Sequence, residues 1–452
     1  MKSNLKQMSI LLLSGLMLLM VNGCQLLDRF ESILEGNNGK AKGKTKFMLT
    51  IENVFTPYMF FQSGVFNKPV GAAMPGPILD GDSYQFQFHA GEGHYLSFAT
   101  MFVQSNDLFY APGEMGIPMF KNGVPTEGDI TMYVDLWDAG TEIDEAPGAG
   151  NYQPTSPSGP DEGPDEGGNV VIETGGGFSY PDDAEVIKVY SEYLGDNQFE
   201  VTIMNVSGSS SLPTPLAPGV FVVHSNPAPL FTEGAPDRDK GLEALAEDGS
   251  AGMLGDYLAM NTGLVSPFAP GVFVTQNKNQ EVLFMAGEPD AGHGLEGLAE
   301  DGMVSDLAEY LEMAPKAKES GIFNTPSGAG NPGPILPGQY YEIEFEANPG
   351  QSINFATMLI QSNDLFFAPD DTGIPLFDKG EPISGDVTMY VELWDAGTEV
   401  NQFPGAGNYQ APRQDEADMG MDENGVVQVV DDEYMYPAIE DMIRVTIMPY
   451  QD

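Results

Sequence analysis

One long stretch of this sequence occurs twice, and that repetition limits the folds open to it. FATMFVQSNDLFYAP (98–112), GIPMF (116–120) and GDITMYVDLWDAGTEIDEAPGAGNYQ (128–153) return as FATMLIQSNDLFFAP (355–369), GIPLF (373–377) and GDVTMYVELWDAGTEVNQFPGAGNYQ (385–410). Matching residues stand 257 positions apart, and SGVFN (63–67) and PGPIL (75–79) keep that offset to SGIFN (320–324) and PGPIL (332–336). A register held over so long a span means two copies of one folded unit.

The unit reads as β-structure. Tyr84, Phe86 and Phe88 alternate with Gln85 and Gln87, and Tyr341, Ile343 and Phe345 alternate with glutamates. In 130–137, Ile130, Met132, Val134 and Leu136 would take one face of a strand, and Thr131, Tyr133, Asp135 and Trp137 the other. Period two, frequent Gly and Pro, and few helical patterns argue for a mainly β protein made of two antiparallel β-sandwich domains.

KFMLTIENV (46–54) and QFEVTIMNV (198–206) each read as the opening strand of a copy, which puts the boundary near GDNQ (195–198). The expected division is one sandwich over 45–196 and a second over 197–452. The second would carry a small β/α insertion at 208–319, a tandem in which LAPGVFVVH…GLEALAEDG (216–249) precedes FAPGVFVTQ…GLEGLAEDG (268–302). In each tandem unit Leu242, Leu245 and Ala246, or Leu295, Leu298 and Ala299, form the apolar face of a short helix ended by Asp-Gly. The acids of that helix (Glu243, Glu247, Asp248; Glu296, Glu300, Asp301) are expected on its wet face. The loop PTSPSGPDEGPDEGGNV (154–170) reads as a solvated spacer, with loose calcium binding by PDEGPDEG as the alternative, and QDEADMGMDENG (414–425) is the matching acidic loop.

Lys and Arg number 18 against 67 Asp and Glu, a net charge of −49. That excludes nucleic acid as a partner, because counterion release needs basic residues on the protein. A surface kept soluble in salt, a cation-binding protein or a ligand for a basic partner remain. The single cysteine, Cys24, rules out an internal disulfide. It follows a basic segment and the apolar run MSILLLSGLMLLMV, so residues 1–23 read as a secretory signal peptide and 24–44 as a tether. A cysteine at that point resembles the bacterial lipobox, which implies lipidation of Cys24. The membrane would then be reached through a lipid anchor only, with outer-membrane or cell-surface localisation.

Each copy places one carboxylate in an SNDLF turn and two in a WDAGTE turn: Asp107, Asp138 and Glu142, then Asp364, Asp395 and Glu399. Calcium takes six to eight oxygen ligands on loops able to wrap it, and DAGTE sets two acids four residues apart around a glycine. The alternative is an exposed acidic turn in a very acidic chain. Trp137 and Trp394, each just before the turn aspartate, could anchor it. The histidines His89, His94, His224 and His293 do not recur between copies; His89 aligns with Glu346 and His94 with Gln351, so each of these two reads as a surface or loop residue and not as a ligand.

PGVFVVH, GLEALAEDG, the SND turn followed by an aromatic, and DAGTE with a following PG together resemble the spondin N-terminal domain family in a bacterial lipoprotein form. The resemblance implies a C2-like β-sandwich that binds one Ca²⁺ per domain through Asp107, Asp138 and Glu142, and through Asp364, Asp395 and Glu399. It implies a non-enzymatic adhesion or matrix protein, with an unidentified extracellular protein or polysaccharide as partner. The rival expectations are an envelope hydrolase or carbohydrate-processing protein, and a structural surface-layer component.

Overall fold

The computed structural model describes residues 44–154, 159–174 and 177–450. The expected signal peptide, nearly all of the tether, and Cys24 lie outside the described residues. Within them the chain forms two antiparallel β-sandwiches, each a four-stranded sheet facing a seven-stranded one.

The strands are shared out differently from the expected division. Thr45–Asn53 lies in the middle of a four-stranded sheet of the second copy, where Leu49 is opposite Ile343 on one side and Ile447 on the other. The matching strand of the first sandwich is Gln198–Asn205, paired with Ser83–His89 and Ile187–Gly195. The reason lies in GDNQ, expected as a boundary. Asp196 and Asn197 both adopt left-handed φ angles, of 46° and 60°. Two such residues make the tight turn that closes a hairpin, so Gln198–Asn205 must fold back on Ile187–Gly195.

The tandem is divided as well, so it is not an insertion in the second domain. Leu216–His224 joins Tyr95–Phe102 and Gln62–Phe66 of the first sandwich, whereas Phe268–Asn277 joins Gln351–Leu359 and Ala317–Phe323 of the second. The second sandwich thus opens with 45–53, is interrupted by the whole first sandwich, and resumes near 264. The first contains the same pieces in circularly permuted order.

Each sandwich carries its own helical cap. Helices α1 (Leu242–Asp248) and α2 (Gly252–Met260) cover the outer face of the first seven-stranded sheet, and α3 (Leu295–Asp301) and α4 (Ser305–Met313) cover the second. Both faces of these sheets are therefore buried. One side of the first joins the sandwich core of Phe86, Phe98, Leu136 and Val201, and the other packs Ala99, Phe109 and Trp137 against Leu242, Leu245 and Leu254. Burial on both faces explains why FATMF and LFYAP read as continuous apolar runs rather than alternating ones.

The strand expected over 130–136 is shorter than the alternation suggested. Thr131–Tyr133 and Thr388–Tyr390 are single 3-10 turns, started where Asp129 and Asp386 carboxylates accept the Thr131 and Thr388 N–H groups. Met132 and Met389 are consequently exposed, and the strands begin at Val134 and Val391.

Candidate metal centre

The SNDLF turn is closed by its serine. Ser105 Oγ accepts the Leu108 N–H at 3.1 Å and donates to the Phe102 carbonyl at 2.6 Å, and Ser362 closes the second copy in the same way. This sets Asp107 and Asp364, both fully buried, beneath the DAGTE turn. Asp107 Oδ2 accepts the N–H groups of Thr141 (2.8 Å) and Glu142 (3.0 Å) and the Thr141 hydroxyl (3.2 Å). Asp364 Oδ2 makes the same three bonds with Thr398 and Glu399. In both copies the other oxygen, Oδ1, is buried without a hydrogen-bond partner.

Above each aspartate lies the first acid of the second turn. Asp138 Oδ1 accepts the Gly140 N–H at 2.6 Å, and Asp395 Oδ1 accepts the Gly397 N–H at 2.6 Å. Gly140 and Gly397 have φ of +67° and +68°, and a Cβ there would come within 2.7 Å and 2.6 Å of the Asn169 and Val426 amides. Those amides belong to the acidic loops, which are not spacers. Gly168 N–H reaches Gly140 O at 2.8 Å and Glu166 N–H reaches Thr141 O at 2.8 Å. Gly425 and Glu423 repeat both bonds to Gly397 and Thr398 at 2.7 and 2.9 Å.

The loops bring further carboxylates. In the second sandwich Asp364, Asp395 and the loop acid Glu423 each place an oxygen within 4.8 Å of the others, whereas the first sandwich groups Asp138 with Asp144 and Glu173, which flank the loop, and not with Asp107. Burial pushes the carboxyls of Asp107 and Asp138 above the aspartate range, and the Asp107 charge raises Asp138 further. Asp364 and Asp395 are raised by burial too, Asp364 also by the charge of Asp395. Acids crowded in this way disfavour their own ionisation unless a cation joins them.

The structure thus brings together two members of each expected triad. The third turns away: Glu142 Oε1 accepts the Gly163 N–H at 2.8 Å and Oε2 faces Asn106 Nδ2 at 3.2 Å. Glu399 is pushed up to about 8 by burial, with Glu300, Asp364 and Asp301 adding to the shift. Both glutamates lie beside the cap helix, and there the expected wet face is corrected. Glu247 and Glu300 are only 4% and 5% exposed, because α1 and α3 pack their acidic edge against the DAGTE turn. Burial pushes them up to about 8 and about 7.

The first loop's PDEGPDEG, able to bind calcium loosely, reads as a spacer, yet its acids carry a signal. Asp161, Asp165 and Glu166 recur as Asp418, Asp422 and Glu423, in the same 257 register as the turns.

The histidines stand apart from these acids, and His94 is not the surface residue expected. His94 and His224 are buried. His94 is pushed down to about 3 by burial, with the charges of Arg413 and His224 adding. His224 Nε2 lies 2.9 Å from Ser97 Oγ and its Nδ1 lies 2.6 Å from Asn226 O. Ser97 is itself buried, and the second sandwich has Asn354 and Gln276 in these places. The pair is a core hydrogen bond.

Trp137 and Trp394 do anchor their turns, each donating from Nε1 to a carbonyl, Ala111 O or Ala368 O, at 3.1 Å. Each ring also packs on a cap aromatic, Phe231 at 4.6 Å and Phe284 at 4.9 Å. The chain matches no family model, no curated protein and no solved structure.

Proposed function

We propose that this protein is an exported, lipid-anchored surface protein whose two sandwiches each bind a calcium ion, and that it is a binding or adhesion protein rather than an enzyme. The observation that carries the metal is the orphaned Oδ1 of Asp107 and of Asp364. A buried carboxylate oxygen left without a partner costs on the order of 1–3 kcal/mol or more, and here the same cost is borne at the same point of both sandwiches. A cation between Asp107 and Asp138, and between Asp364 and Asp395, would remove it.

The donor set is oxygen only and rests on wrapped loops, which favours Ca²⁺ over the smaller and more demanding Mg²⁺. When bound, the ion would tie the SNDLF turn, the DAGTE turn and the acidic loop into one rigid end of each sandwich. That end is the surface offered to an extracellular protein or polysaccharide. The spondin-type turns at 105–109 and 137–142 fit this reading, as do the lipobox-like segment at Cys24 and the net charge of −49.

The test is calcium titration of the full chain by calorimetry against Asp138→Asn and Asp395→Asn. Each single change is expected to remove the ion of its own sandwich and leave the other. Unaltered calcium binding in the double variant would refute the assignment.

A further inference from the structure

We infer that each sandwich holds a second divalent cation, of the hard, oxygen-seeking kind that Ca²⁺ represents, between its cap helix and its acidic loop. Asp161, Glu243 and Glu247 bring one carboxylate oxygen each within 4.8 Å of one another in the first sandwich, and Asp418, Glu296 and Glu300 do so in the second. The two trios are equivalent residues. Asp161 and Asp418 are 257 positions apart, whereas Glu243 and Glu296, like Glu247 and Glu300, are 53 apart. The loop precedes the helix along the chain in the first sandwich and follows it in the second. Two different chain orders therefore assemble the same three acids.

A ligand is indicated by a buried carboxylate oxygen of the first trio that has nothing else to bind. Glu247 is 4% exposed, and its Oε2 has no hydrogen-bond partner. In the second sandwich Glu300, the equivalent of Glu247, is 5% exposed, and the neighbouring orphaned atom is Oε1 of Glu399, which is not one of the three acids. Each helix also carries two glutamates four residues apart, an arrangement that destabilises a helix when both are charged. Among the described residues no lysine or arginine forms an ion pair with any of the six acids.

These ligands do not include Asp107, Asp138, Asp364 or Asp395, so the inference goes beyond the proposed function and does not rest on it. Asp161, Asp418 and Glu296 are exposed, so water would complete the shell and the ion would exchange with solvent. Asp161 and Asp418 lie on the loops and the glutamates on the caps, so these ions would clamp each cap to its loop.

Equilibrium dialysis of the full chain against Ca²⁺ at low ionic strength tests this. The wild-type chain is expected to bind four ions. Glu247→Gln with Glu300→Gln should bind two, and Glu243→Gln with Glu296→Gln, at less buried positions where the fold tolerates change, should weaken the same two at least tenfold. Asp138→Asn with Asp395→Asn should leave the two cap ions in place, and if it removes nothing while the cap variants lose two, the proposed turn sites fail and the cap sites stand. Calcium binding unchanged in number and affinity in both cap variants overturns the inference.

Discussion

At the scale of single residues, the acids that cost most to keep are those whose burial the sequence hid. Glu247 and Glu399 are pushed up to about 8 from an ordinary value of 4.5. The folded chain then holds protons that the unfolded chain has already released. Their contribution to stability is present at low pH and is lost as pH rises from about 4.5 through about 8. In EDTA the midpoint of thermal unfolding is therefore expected to be higher at about pH 5 than at about pH 8.5, and saturating Ca²⁺ should reverse that order. Circular dichroism melts at both pH values check this; equal midpoints in EDTA would contradict it. Glu247→Gln should likewise raise the stability of the calcium-free protein, on the order of 1–3 kcal/mol, in urea unfolding.

The turn aspartates were legible because SND and DAGTE repeat with their glycine and acids intact. The role of Glu142 was not. Its spacing from Asp138 suggested convergence, yet a backbone amide from a loop some twenty residues on, Gly163, captures its carboxylate. Helical spacing correctly gave Leu242, Leu245 and Ala246 as the buried face of α1. It could not show that the edge carrying Glu247 meets a turn from another part of the chain.

At the scale of elements, the strand Thr45–Asn53 belongs to the far sandwich. Leu49→Ala removes a fully buried side chain from between Ile343 and Ile447 and should cost about 2–5 kcal/mol. The loss should fall on the unfolding of the second sandwich and leave the environment of Trp137 unchanged. Tryptophan fluorescence of Leu49→Ala chains keeping only Trp137 or only Trp394, with Phe at the other position, separates the two. An equal effect on both would argue against the strand exchange.

The DAGTE turn offers a second test. Gly397→Ala forces a side chain into a left-handed conformation and against the Val426 amide. A cost of about 1–3 kcal/mol and weaker calcium binding in the second sandwich alone are expected by calorimetry. The sequence pattern could not assign the opening strands, because KFMLTIEN and QFEVTIMN present the same inward faces and fit either sandwich. The decision lay in Asp196 and Asn197, whose paired left-handed φ angles close a hairpin at the place the sequence suggests for a domain boundary.

At the scale of the whole molecule, the two sandwiches meet through a loop of the second. Phe403 stacks on His89 at 3.8 Å, Asn197 Nδ2 donates to Asn408 Oδ1 at 3.0 Å, and Arg413 donates to Gln361 Oε1 at 2.9 Å with His94 at its other end. Arg413→Ala removes the guanidinium that meets His94 across the joint, and should split a single calorimetric transition into two. One transition in the variant would show that the joint does not depend on this residue. The repeat predicted two sandwiches, and two are present. Their nesting was hidden because an offset of 257 aligns only what lies downstream of SGVFN.

The proposed calcium sites in the turns are tested most directly by diffraction. In crystals grown with Ca²⁺, an anomalous difference map at long wavelength should place one ion between Asp107 and Asp138 and another between Asp364 and Asp395, each bonded to the aspartate Oδ1 that now lacks a partner. Well-ordered turns with no anomalous peak at either position, in crystals soaked at millimolar calcium, would contradict it.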